Sequence, residues 1–183
     1  MTFFDTGFEG LLLWESSSSY YPDNRGAFQE LFNQKDFPQH FATYQVNHSY
    51  SVPYVVRGLH YQLPPHAQAK IVHVLKGSIY AVALDLRAKS ASFGRHFDAE
   101  ITGENRKHLF IPKGFAYGFA ALAQGAVVLY QVDAPYRHQS ARVIRHDDKQ
   151  LAINWPAPEA AKIVSDADAA GMSWADYLKN PVF

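Results

Sequence analysis

From Ala42 to Val132 the chain is a succession of short runs rich in Val, Ile, Tyr and Phe, each soon broken by Gly, Pro, Asn or charge. Runs this short, β-branched and aromatic favour strands over helices. Residues 43–49, 55–61, 71–76 and 78–86 read as strands, followed by 93–101, 108–111, 115–122 and 126–132. Lys76-Gly77-Ser78 reads as a tight hairpin turn between two of them. So many short strands at close spacing predict a mainly β fold, a sandwich or barrel of the jelly-roll type, with short peripheral helices. Upstream, residues 10–14 form a strand candidate. Ser16 to Ser19 with Tyr20-Tyr21-Pro22-Asp23 reads as a loop, residues 28–32 are ambiguous, and residues 34–41 suit one short helix. Residues 159–162 and 173–178 read as short C-terminal helices.

A length of 183 residues suits one domain, 1–183, with a sizeable core. Aromatics reach 15%, with 13 Phe and 11 Tyr, which suits strands and an aromatic-lined cavity. Lys+Arg and Asp+Glu balance at 17 each, so no basic field exists to hold a nucleic-acid backbone. An anionic ligand must then be met by locally placed arginines. With no cysteine, disulfides, thiolate metal sites and a cysteine nucleophile are excluded. No apolar stretch approaches the roughly 20 residues of a bilayer span, and the acidic N-terminus is unlike a signal peptide. No membrane role and a cytoplasmic location are expected.

Arg57-Gly58-Leu59-His60-Tyr61-Gln62, followed by Lys70 and Gly77, has the spacing of a His–His–acid–Gly motif, and Pro112-Lys113-Gly114-Phe115-Ala116-Tyr117 that of Pro-x-Gly-x-x-His. These resemble the two motifs of the cupin barrel, with His60 and Lys70 expected on neighbouring strands. Gln62, Lys70 and Tyr117 fill three of the four ligand positions. A protonated ammonium repels a divalent ion and an amide oxygen is a poor substitute for imidazole, so no metal is expected. A metal-dependent cupin oxygenase is correspondingly disfavoured.

Further segments match in order: Asp23-Asn24-Arg25-Gly26-Ala27-Phe28-Gln29-Glu30, Gln45-Val46-Asn47-His48-Ser49, Asp85-Leu86-Arg87, Ser92-Phe93-Gly94, Leu129-Tyr130 and Ser165-Asp166-Ala167-Asp168. Together they resemble the dTDP-4-dehydrorhamnose 3,5-epimerase family over nearly the whole chain. The resemblance implies a cupin-like jelly-roll homodimer that uses no cofactor. It implies inversion of carbons 3 and 5 of a nucleoside-diphosphate 4-keto-6-deoxy sugar, with dTDP as the expected nucleotide.

That chemistry needs a base, an acid facing it, and a group to hold an enolate oxygen. The resemblance assigns the base to His60, imidazole being a side chain that can accept a proton, and its orienting carboxylate to Asp168. It assigns the acid to Tyr130, although a tyrosine on an apolar strand is ordinarily core, and the enolate-stabilising cation to Lys70. Arg57 and Arg25 match phosphate contacts, which guanidinium forks suit. Glu30, Gln45 and Asn47 match polar contacts to sugar or nucleoside, and Phe28 an apolar wall. His48, His66 and His73 match no role.

Three positions depart from the family. Tyr117 stands where a histidine is usual and is expected to face the sugar pocket, either reshaping it or merely repacking. Ala134-Pro135-Tyr136 replaces a pair of tyrosines, leaving Tyr136 as the one stacking ring. Ala167 stands where a lysine is common. A monofunctional 3- or 5-epimerase, a 3,4-ketoisomerase and a non-catalytic sugar-nucleotide-binding barrel are the alternatives.

Overall fold

The computed structural model describes residues 1–16 and 19–183; Ser17 and Ser18, within the expected loop, lie outside the described residues. The strands are β1 (Thr2–Phe4), β2 (Leu12–Glu15), β3 (Tyr20–Asp23), β4 (Gly26–Gln29), β5 (Gln45–Ser51), β6 (Val56–Gln62), β7 (Lys70–Asp85), β8 (His96–Thr102), β9 (Lys107–Ile111), β10 (Phe115–Val132) and β11 (Ala141–Val143). Two short helices follow, α1 (Asp166–Ala169) and α2 (Trp174–Lys179). Among the described residues, nine strands form an antiparallel sheet in the order β1-β2-β9-β7-β10-β6-β11, with β5 also on β10 and β8 also on β7. It curls into a cupin-like jelly-roll barrel. Strands β3 and β4 pair only with each other.

The architecture turns on two long strands that the sequence divides into four. Residues 71–76 and 78–86 are one strand, β7, and 115–122 and 126–132 are one strand, β10. Gly77 is not a hairpin turn but a bend inside β7, at φ +74°, opposite a register shift between Ala121 and Ala126. A Cβ on Gly77 would lie 2.0 Å from the Gly125 carbonyl oxygen, so only glycine permits this crossing. Glycine at positive φ suits both a turn and a bulge, and local sequence does not separate the two.

The bulge also switches which residues face the core, because one extra residue inverts the alternation of a strand. In β7, Val72 and Val74 before the bend and Ile79, Ala81 and Ala83 after it all enter one cluster. In β10, Phe115, Tyr117, Phe119 and Ala121, then Ala126 and Val128, do the same. The side chains of this barrel interior are almost wholly buried, and each large apolar one contributes about 1.5–3 kcal/mol. The other face is covered twice. Val82, Leu84, Ala116 and Ala120 pack under Trp155, Trp174 and Tyr177 of the C-terminal segment. Ile71 and Phe110 pack with Trp14 under Phe37 and Phe41.

Several other expectations are revised. Tyr20–Asp23 is a strand, its Tyr21 ring stacked on Phe28 of β4, rather than loop. Residues 34–41 form turns instead of a helix. Pro38 follows Phe37, disfavouring helical geometry there, and the Gln34 side chain closes the loop by donating to the Gln39 carbonyl and accepting from the Phe41 N–H. His60 and Lys70 do not lie on adjacent strands, since β10 runs between β6 and β7. Residues 159–161 form a 3₁₀ turn, and 174–179 is the helix expected near there. Among the described residues no helix is long and apolar enough to cross a membrane.

Candidate active site

At the open end of the barrel, strands β5, β6, β7, β10 and β11 surround a cavity of about 530 Å³. Its wall follows from strand alternation. On β5, Gln45, Asn47 and Ser49 pair with Val132, Tyr130 and Val128 and share their inward face. Val46, His48 and Tyr50 then point out. Lys70 opens β7 and Tyr130 lies near the end of β10, both above the apolar floor.

His60 is brought in by a local irregularity. Tyr117 pairs with His60 but Phe119 pairs with Arg57, so three steps on β6 oppose two on β10. Gly58 is the residue accommodated there, at φ +106°. A Cβ on it would meet the Tyr117 carbonyl oxygen at 2.6 Å and the Gly118 Cα at 2.8 Å. The Arg-Gly-x-His sequence is therefore a bulge that brings His60 to the cavity and turns Arg57 toward β5.

His60 Nε2 lies 2.6 Å from Asp168 Oδ1, and the other carboxylate oxygen accepts from the Gly58 N–H at 3.1 Å. Asp168 stands on α1, whose N-cap Ser165 accepts from the Asp168 N–H. Burial pushes the Asp168 carboxyl up, but the His60 hydrogen bond and charge with the Gly58 amide and Ser165 prevail and hold it below the usual carboxylate range. An ionised Asp168 makes His60 Nε2 the donor and leaves Nδ1 for the cavity. The His60 side chain is 44% exposed, against 8% for Asp168, so the pair is a buried anchor holding an open imidazole.

Tyr130 shares a hydrogen bond with Ser49 Oγ at 2.9 Å. Burial raises its phenol to about 12, against smaller downward pulls from Ser49 and the Arg57 charge, so it carries its proton at neutral pH. Lys70 is lowered by burial alone to about 8. A neutral or anionic ligand oxygen beside its ammonium would supply an acceptor in place of water.

Of the residues singled out in the sequence, His60, Asp168, Tyr130, Lys70, Gln45, Asn47 and Tyr136 line the cavity. Five do not. Arg57 donates to Ser51 Oγ at 3.0 Å and to the Tyr50 carbonyl at 3.3 Å. Arg25 is ion-paired with Asp23, Phe28 is 67% exposed, and Glu30 accepts from Asn33. These last three belong to the β3–β4 region, away from the cavity of their own chain. Tyr117, expected to face the sugar pocket, instead packs beneath it in the barrel core, its buried hydroxyl without a partner among the described residues.

Sequence reasoning passed over Gln68, Ala141, Arg142 and Val143 in the wall. No motif marks β11, but its pairing of Ala141 with Gln62 and Val143 with His60 puts it at the rim. Gln62, in a cupin ligand position, is a loop clamp: it donates to the His66 and Pro135 carbonyls and accepts from the Arg137 N–H. No group of three or more His, Cys, Asp or Glu among the described residues is placed to hold a metal.

The model of the family described as dTDP-4-dehydrorhamnose 3,5-epimerase matches residues 5–176. A dTDP-4-dehydrorhamnose 3,5-epimerase of Shigella flexneri is 39% identical over 160 residues, covering 85% of this chain and 87% of the relative. The crystal structure of the Elizabethkingia anophelis enzyme of the same description superposes with a TM-score of 0.89 at 36% identity, covering 96% of this chain and 97% of that one. A dTDP-6-deoxy-D-glucose-3,5-epimerase of Legionella pneumophila, solved in complex with dTDP-4-keto-L-rhamnose, gives a TM-score of 0.87 at 37% identity, covering 93% and 90%. With the barrel, the bulged Arg-Gly-x-His and this extent of likeness in hand, the chain belongs to the dTDP-4-dehydrorhamnose 3,5-epimerase family, and it is an isomerase.

Proposed function

We propose that the chain inverts carbon 3, carbon 5 or both of a dTDP-linked 4-keto-6-deoxy sugar, without a cofactor, by proton transfer across the ring. The observation that carries this reading is a histidine–aspartate pair whose free Nδ1 shares one cavity with a neutral phenol and a lysine. His60 Nδ1 removes the proton beside the ketone, and the bonding pair moves to the 4-keto oxygen as an enolate. The Lys70 ammonium stabilises that oxygen, where positive charge in a desolvated site is most effective. The Tyr130 phenol returns a proton to the opposite face of the carbon, and the phenolate and imidazolium re-equilibrate with solvent. Asp168 holds the imidazole in the productive tautomer and stabilises its cation.

The same reading extends to a homodimer. The β3–β4 hairpin, with Arg25, Phe28 and Glu30, stands apart from its own cavity. Tyr21 and Phe28 on it, Tyr44 just before β5, and Val46 and Tyr50 on β5 are exposed apolar groups. A second copy that covers them would receive the hairpin at its own cavity, adding the Arg25 guanidinium as a phosphate contact to a site where Ala167 supplies no positive charge.

The test is incubation with dTDP-4-keto-6-deoxyglucose in heavy water, following deuterium at each sugar carbon by NMR. Exchange and inversion at carbons 3 and 5 support the full reaction, and exchange at one carbon a monofunctional enzyme. A ketone that migrates instead, or no exchange with any 4-keto-6-deoxy nucleotide sugar, refutes the reading.

A further inference from the structure

Outside the cavity, on the outer face of the barrel, two histidines meet in an apolar setting. His73 on β7 and His108 on β9 are paired across the sheet, and their Nδ1 atoms lie 2.9 Å apart. His108 Nε2 lies 2.8 Å from Ser16 Oγ, which also accepts from Gln29 Nε2 at the end of β4. At the other end His73 Nε2 lies 3.2 Å from Gln131 Nε2, and Gln131 Oε1 accepts from the Thr43 hydroxyl. Gln131 directly follows Tyr130 on β10.

The donors and acceptors fix the protons. Since Gln131 Oε1 is taken by Thr43, its amide N–H faces His73 Nε2, which must accept. A neutral His73 then carries its proton on Nδ1 and donates it to His108 Nδ1, and His108 donates from Nε2 to Ser16. One directional chain thus runs Gln131 to His73 to His108 to Ser16.

We propose that this neutral pair is a positioning device, which clamps the base of the β3–β4 hairpin to the strand carrying Tyr130 and is released when it takes up a proton. The groups facing it are Trp14 of β2, Ser16 just beyond that strand, Gln29 from β4 and Gln131 from β10, with Phe37 packed on Trp14; none can balance a positive charge. Glu15 and Lys107, the charged neighbours in sequence, occupy alternate strand positions directed to the opposite face, where Lys107 lies over Phe4. Burial accordingly depresses both imidazoles, His73 well below its ordinary value and His108 to about 4. What the hairpin presents to substrate rests on the function proposed above; the clamp itself does not.

Two measurements on the chain as it stands test it. Long-range proton–nitrogen NMR at pH 7 should find both histidines neutral, His73 protonated on Nδ1 and His108 on Nε2. The second follows exchange protection of the Glu30 amide, which donates to the Ser19 carbonyl. If release restores a free imidazole near 6.5, opening is favoured about thirtyfold more at pH 5 than at pH 7.5. That loss of protection should vanish in His73→Gln/His108→Gln, whose amides can keep hydrogen bonds but cannot titrate. The Michaelis constant for dTDP-4-keto-6-deoxyglucose should rise in the same range in the wild type alone. Other tautomers, a charged pair at pH 7, or equal loss of protection in both proteins overturns the clamp. If the exchange results hold but no 4-keto-6-deoxy nucleotide sugar is turned over, the clamp stands and the function reading falls.

Discussion

Replacing Asp168 with asparagine removes one charge and almost no volume, which isolates what the carboxylate does for His60. In the wild type, one oxygen receives the His60 Nε2–H at 2.6 Å and the other the Gly58 N–H at 3.1 Å. The asparagine carbonyl can serve only one of these donors. If it keeps Gly58, its N–H₂ group faces His60 Nε2 and forces the imidazole proton onto Nδ1, the atom that should accept the substrate proton. If it keeps His60, an amide N–H confronts the Gly58 N–H. The charge-assisted bond to the imidazolium contributes about 1.5–3 kcal/mol, or roughly tenfold to 150-fold in rate. Reversal of the tautomer in a histidine–aspartate pair costs up to ~10⁴. A fall in kcat of about 10²–10⁴ is expected, with nucleotide binding and melting temperature little changed. Calorimetry with dTDP and single-turnover kinetics on the same preparation measure both. A folded, ligand-binding Asp168→Asn protein within threefold of wild-type kcat would show that the carboxylate neither sets the tautomer nor stabilises the cation.

Lys70 should impose an alkaline limb. Its ammonium is the form that stabilises an enolate, and burial lowers its pKa to about 8, so kcat/KM should fall as pH rises through about 8. Lys70→Arg, slower but permanently charged, should lose that limb, and a wild-type profile flat to pH 10 would remove Lys70 from the role. Tyr117→Phe deletes a buried hydroxyl that lacks a partner, so stability should rise by ~1 kcal/mol, seen as a melting temperature higher by about 2–4 °C. Because that ring lies below the cavity, the carbons exchanged in heavy water should not change; a changed pattern would return Tyr117 to the sugar site.

Acidification should also weaken the fold through the buried histidines. A group whose folded pKa is below its unfolded value is destabilising where the unfolded chain binds the extra proton. For His108 that window runs from about 6.5 down to about 4, so stability falls with pH across it and then levels off. Urea midpoints should drop between pH 7 and 4.5 in the wild type and drop less in His108→Gln. Equal drops would place the acid sensitivity elsewhere.

The sequence by itself determined the fold class and, through its motifs, the family. Short β-branched and aromatic runs have few ways to bury both faces other than closure into a barrel, whereas His60, Lys70, Tyr130 and Asp168 take their proposed roles from the resemblance of their motifs to a family. What it could not supply was any relation depending on two distant stretches at once. Whether Gly77 turns the chain or bends it depends on Gly125 lying across from it, and local sequence does not contain that contact. Tyr117 joins the core rather than the cavity because the bulge at Gly58 and the depth of the barrel decide how far in each ring reaches. Arg25, Phe28 and Glu30 share a motif but fold onto a hairpin away from their own cavity. The His73–His108 pair joins residues 35 apart in sequence through a shared sheet register. Periodicity and motif are properties of neighbours along the chain, whereas register, bulges and the burial of polar partners are settled only when strands meet.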